Sequence, residues 1–111
     1  MAGLNRGDVR YYTFKPPDKR RPVLILTRES AIPHLCEVTV AAITSTVRGV
    51  PSEVFISEND GMPNPCAVNL YHLQTVQKQN IGKLITTLSP KKLNEVRDAL
   101  NFALGFDDLL G

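Results

Sequence analysis

Tryptophan is absent from the 111 residues, and cysteine and histidine occur only twice each. Cys36 and Cys66 are too few for a disulfide framework, and no Cys/His cluster supplies a set of zinc ligands, so buried free thiols and no structural metal are expected. Long hydrophobic runs are lacking too. The longest, Val23 to Leu26 and Val40 to Ile43, fall far short of the ~18 residues that a membrane span needs, and the opening MAGLNRGDVR has no apolar leader core. The expectation is a soluble, cytoplasmic chain with no membrane partner. Excess charge of one sign is also missing: 13 Lys and Arg stand against 11 Asp and Glu, a formal net charge of +2. That is too mild for gripping nucleic acid by bulk charge, so an anionic partner has to be held by a local patch. There is no P-loop, no GxGxxG, no HExxH and no carboxylate pair at metal spacing, so neither a cofactor nor a catalytic metal is expected.

Hydrophobic residues at 42% and charged residues at 22% are those of an ordinary packed chain. The length suits one domain, residues 1–111, whose core must be built mostly from Val, Ile and Leu. A chain of this size buries only about two-thirds of its unfolded surface, so a homodimer is the expected form. Short β-branched or aromatic runs at Val9 to Phe14, Val23 to Thr27, Glu37 to Thr44, Glu53 to Ile56 and Ala67 to Leu70 read as strands. Cys36, Val38, Val40 and Ala42 share one face of the third run, while VLILT is apolar on both faces and belongs at the centre of a sheet. Pro and Gly punctuate Lys15 to Pro22, Arg48 to Pro51 and Glu58 to Pro65, which read as loops, and Arg6-Gly7-Asp8 reads as a turn opening the first strand. From Ser89 the period changes. Leu93, Val96, Leu100, Ala103 and Leu104 recur at helical offsets, with Ser89 as N-cap, Pro90 in the first helical position and Gly105 as the left-handed terminus. The fold class is therefore mainly β (α+β): a small bent sheet or partly open barrel with a C-terminal amphipathic helix.

Two segments could carry chemistry. In KPPDKRR, Lys15, Lys19, Arg20 and Arg21 face one acid, Asp18; such a loop is either a phosphate clamp or a solvated hairpin that discourages edge pairing. Arg21 is the best placed of the four, because Pro22 holds it extended at the mouth of a central strand. In Thr44-Ser45-Thr46, followed by Arg48, an apolar strand ends in hydroxyls and a cation, which either bind phosphate oxygens or simply cap a turn. Strand parity puts Thr44 on the Val40 and Ala42 face, partly shielded. His34 and His72 lie far apart in sequence, so a paired-histidine mechanism has no local support.

These pieces together resemble the MazF/PemK (Kid) family of toxin–antitoxin endoribonucleases. The resemblance is carried by Arg6-Gly7-Asp8-Val9, Arg21-Pro22-Val23-Leu24-Ile25-Leu26, Val40-Ala41-Ala42-Ile43-Thr44-Ser45, Pro51-Ser52-Glu53-Val54, Ile81-Gly82-Lys83-Leu84, Leu88-Ser89 and the helix to Leu104-Gly105, a core of about residues 6–105. It implies a small SH3-like barrel, a homodimer, a MazE-like protein antitoxin and cleavage of single-stranded RNA without metal, leaving 2′,3′-cyclic phosphate and 5′-OH ends. The family's catalytic arginine and threonine fall on Arg21 and Thr44. RNA contacts are then expected from Lys19, Arg20, Ser45, Thr46, Arg48, Asn69 and His72, with Asn59 to Asn64 as further candidates for base edges. This chain departs from the family in lacking the longer Gly-Ser-Glu first loop, and in carrying Tyr71-His72 where many members have Asp-Gln. The competing expectation is a non-catalytic barrel of the same type, such as a CcdB-like gyrase poison or a decayed toxin that only binds antitoxin or RNA.

Overall fold

The computed structural model describes residues 3–15 and 19–106. Six strands precede one helix: β1 (Asp8–Thr13), β2 (Arg20–Ile25), β3 (Glu37–Thr44), β4 (Glu53–Ile56), β5 (Cys66–Gln77), β6 (Ile81–Thr87) and α1 (Pro90–Leu104). Every pairing is antiparallel, in the order β4-β5-β3-β2-β1-β6. Val23, Leu24 and Ile25 supply the middle of the sheet as expected and are fully buried, whereas Leu26 and Thr27 of the same run lie past the end of β2. The sheet's two outer strands are brought together by rolling: the Thr86 hydroxyl on β6 donates to the Asp60 carbonyl in the turn after β4, at 2.9 Å. Such closure makes a partly open barrel and hides edges that would otherwise template aggregation.

Both faces of the central strands are covered. One face packs Val9, Leu24, Ala41, Ile43, Val68 and Leu70 against Val96 and Ala99 of α1. The other packs Val23, Ile25, Val38, Val40 and Val76 under Ile32, with Tyr12 and Phe14 edge-to-face at 4.9 Å. The period of two in the third run predicts a strand buried on one face only, and this is corrected here, since Ala41 and Ile43 are buried opposite Val38 and Val40. The helix ends fall where the sequence put them: the Ser89 hydroxyl accepts from Lys92 N–H at 3.2 Å, and Gly105 takes φ 69°. Leu104, expected on the inner face, is exposed, and Ala99 is buried in its stead. Lys92 Nζ donates to the Phe55 carbonyl at 2.8 Å, tying the first turn of α1 to the edge strand β4.

Three further boundaries differ. β2 starts at Arg20, so the segment read as a loop through Pro22 is already strand; Pro16, Pro17 and Asp18 of that segment lie outside the described residues. β5 runs on past Leu70 to Gln77; its second half is mostly exposed, with only Val76 buried, and so carries no apolar signature in the sequence. β6, with Gly82 and Lys83 in it and no residue fully buried, lacks one for the same reason. Buried Asp8 pins β1 to β6 by accepting from the Thr87 hydroxyl at 2.8 Å and Asn5 N–H at 3.0 Å. Among the described residues no helix is long and apolar enough to cross a membrane.

Candidate active site

The candidate site follows from strand register. β2 pairs with β3 as Val23↔Ala42, Leu24↔Ala41 and Ile25↔Val40, and then the ladder stops. The reason is Pro22. Leu26 N–H donates to the Thr39 carbonyl at 2.9 Å, so the even residues of β2 turn their amide side toward β3, and a proline at position 22 has no hydrogen to offer Ile43. The strands part beyond this point. Continuing the register sets Arg21 across from Thr44, and residues directly opposite in an antiparallel pair share a face.

On the other flank of β3, Ala42 pairs with Asn69, and Asn69 also pairs with Glu53 of β4. The pairing then jumps from Asn69 to Leu73, leaving Leu70, Tyr71 and His72 with no β3 partner. Pleat and irregularity together bring Arg21, Thr44, Thr46, Arg48, Asn69 and His72 around one cleft of about 220 Å³, with Glu53 at its wall. Six residues expected at a site from three separate segments thus meet in one place. Glu53 was missed as a site residue, because only the β4–β5 register reveals it.

The cleft is organised by its own polar groups. The Thr44 hydroxyl accepts from Thr46 N–H at 3.1 Å, which leaves its proton free to be donated outward. Glu53 Oε1 accepts from Arg48 N–H at 2.9 Å, holding the loop after β3 against β4. Among the described residues neither the Arg21 nor the Arg48 guanidinium has a carboxylate within 4.0 Å. Two cations against one hydrogen-bonded carboxylate give a cleft suited to an anion, and guanidinium forks match phosphate oxygens. His72 is exposed.

Lys19, Arg20 and Ser45 are not brought in. Arg20 follows its alternation to the opposite face, where its guanidinium lies 4.1 Å from the Tyr11 ring centroid. Lys19 is exposed before β2 and outside the cleft lining. Ser45 lines a separate slot of about 150 Å³ beside Pro22, Met62 and Asn64, which shares only Ile43 and Thr44 with the cleft. Of the loop proposed for base edges, Asn64 reaches that slot, whereas Asn59 sits in a short 3-10 turn. Of the two thiols expected to be buried, Cys36 is exposed and Cys66 buried; burial, and then the nearby negative charge of Asp60, pushes the Cys66 thiol up from its ordinary value. Among the described residues no group of three His, Cys, Asp or Glu is placed to hold a metal ion.

Fold and cleft together define a small rolled β protein with a basic, hydroxyl-bearing site for an anionic ligand. The model of the "PemK-like, MazF-like toxin of type II toxin-antitoxin system" family matches residues 5–104, and the chain belongs to that family. Endoribonuclease MazF3 of Mycobacterium tuberculosis is 41% identical over 90 residues, covering 81% of this chain and 87% of that protein. The solved Mycobacterium tuberculosis toxin MazF-mt6 superposes with a TM-score of 0.81 at 37% identity, covering 88% of this chain and 96% of the other. An endoribonuclease from a mycobacterial species, solved in complex with its cognate antitoxin, superposes with a TM-score of 0.82 at 25% identity over 93% of this chain and 96% of the other.

Proposed function

We propose that this protein is an endoribonuclease toxin that cleaves single-stranded RNA in the cleft between β2 and β3, by attack of a ribose 2′-OH on the adjacent phosphorus. The observation that carries this reading is the register that sets Arg21 across from Thr44 where Pro22 ends the ladder. The 2′-oxygen forms a bond to phosphorus, the bond to the 5′-oxygen breaks, and the products are a 2′,3′-cyclic phosphate and a 5′-OH. Arg21 meets the negative charge that grows on the phosphoryl oxygens with paired donors, and this differential stabilisation lowers the barrier. Thr44, its lone pair engaged by Thr46 N–H, donates its hydroxyl proton as a hydrogen bond to the same phosphate. Arg48 and Asn69 bind the neighbouring backbone. His72 accepts the proton of the 2′-OH as it attacks, and the departing 5′-oxygen takes up a proton from solvent. No step needs a metal or a cofactor.

In the same reading one toxin domain spans the chain and works as a homodimer in the cytoplasm, and a MazE-like antitoxin silences it by laying an acidic segment over the cleft arginines, in competition with RNA. Arg21→Ala and Thr44→Ala test the catalytic assignment. Cleavage of a long unstructured RNA should fall by about a hundredfold or more in Arg21→Ala, as for loss of a transition-state donor, and by about tenfold or more in Thr44→Ala, with thermal unfolding unchanged. Parent-like cleavage by Arg21→Ala would remove the assignment. RNA binding with no cuts by the parent protein would instead mark a non-catalytic barrel.

A further inference from the structure

The cleft does not end at His72. Ala42 and His72 are shared with a second hollow of about 380 Å³, whose remaining walls are Tyr71, Leu73 and Gln74. Its size falls within the range of small-ligand sites, roughly 300–1,000 Å³. It exists because β5 breaks from β3 here: Leu70 turns inward and is fully buried, its N–H donating to the Ser52 carbonyl at 3.0 Å. Tyr71, next along, has its own N–H held by Asn69 Oδ1 at 3.0 Å. The backbone of the break is thereby fixed, while the Tyr71 side is left 60% exposed.

Tyr71 belongs to neither apolar cluster. Tyr12, by contrast, packs into the second cluster, and Tyr11 lies under Arg20. An aromatic ring outside both apolar clusters and more than half exposed, standing beside an anion cleft and locked at its backbone, suits an unpaired base, since every nucleobase offers a face to stack on. Gln74, exposed in the same hollow, carries both a donor and an acceptor and can read a base edge. The slot on the far side of Thr44 has no aromatic wall.

We infer that this hollow holds the base next to the scissile phosphate, stacked on the Tyr71 ring with the Gln74 carboxamide on its edge, so that Tyr71 and Gln74 set cleavage-sequence preference. The inference rests on the RNA-cleaving reading of the adjoining cleft. Ring stacking is needed for binding, the phenol hydroxyl is not, and the amide selects rather than binds.

The experiment is cleavage of an RNA pool randomised around a fixed scaffold, read by sequencing the ends, with single-substrate kinetics beside it. Tyr71→Ala should raise KM about tenfold, within the range base–aromatic stacking supplies, and leave kcat within about threefold, while Tyr71→Phe restores the parent KM. Gln74→Ala should flatten the base preference at a single position next to the cut and leave the other positions as they were. Both side chains are exposed, and unchanged thermal unfolding confirms that the variants fold. A parent-like KM for Tyr71→Ala, or a parent-like base profile for Gln74→Ala, overturns the inference while the nuclease stands. A parent chain that cuts no member of the pool overturns both readings together.

Discussion

Single residues divide sharply by role within the cleft. Glu53 and His72 are its carboxylate and its imidazole, and the hydrogen bonding separates them: one Glu53 oxygen is engaged by Arg48 N–H, whereas among the described residues the His72 imidazole makes no hydrogen bond at the rim shared by the two hollows. Glu53 is therefore a positioning residue, and Glu53→Gln, which keeps the accepting oxygen, should retain kcat within about threefold, while His72→Gln lowers kcat about a hundredfold, the usual contribution of a general acid–base group. A reversal of these two effects in single-turnover kinetics would move the proton transfer to Glu53. Outside the cleft, the Cys66 thiol titrates above its ordinary value because the fold buries it. The unfolded chain then gives up a proton that the folded chain keeps, so stability falls as pH rises past the ordinary thiol range. The drop in urea midpoint between neutral and alkaline pH should be smaller in Cys66→Ala; an equal drop would show that Cys66 is not its source.

Elements explain why the site is where it is. Pro22 ends the β2–β3 ladder and opens the cleft, so Pro22→Val supplies an N–H that can reach the Ile43 carbonyl and zip the strands one step further. The added bond and the greater freedom of the unfolded chain offset each other to within about 1 kcal/mol, while RNA cleavage falls because Arg21 is drawn against Thr44. Parent-like cleavage with a parent-like urea midpoint would show that the proline does not set the opening. The barrel's closure is equally local. Gly61 has φ 92°, and a Cβ there would sit 2.3 Å from Thr86 Oγ1, so Gly61→Ala should cost about 2 kcal/mol or more in urea unfolding. Much of this architecture was legible in the sequence: the capped helix, the central VLILT strand and β3 all carry strong local signals. β6 and the second half of β5 do not, being largely exposed and short of apolar periodicity. The candidate residues could be read as types, since Arg21 precedes a proline and Thr44 closes a strand. Their company could not: Arg20 is separated from Arg21 by strand alternation, Ser45 lies beyond β3 and lines a separate slot, and Glu53 is added by a pairing between distant segments.

The molecule as a whole is a rolled sheet whose two faces are both filled and whose chemistry sits where the rolling leaves β3 incompletely paired. It belongs to the PemK/MazF-like toxin family. The proposed reaction in this cleft is a transesterification that needs no metal. The direct measurement is to incubate the purified protein with a long unstructured RNA in excess EDTA and determine the chemistry of both ends of every fragment. Discrete cuts bearing 2′,3′-cyclic phosphate and 5′-OH ends are the expected result. An RNA left intact in EDTA, or cut only on adding a divalent metal to give 3′-OH and 5′-phosphate ends, would show that the cleft does not catalyse this reaction.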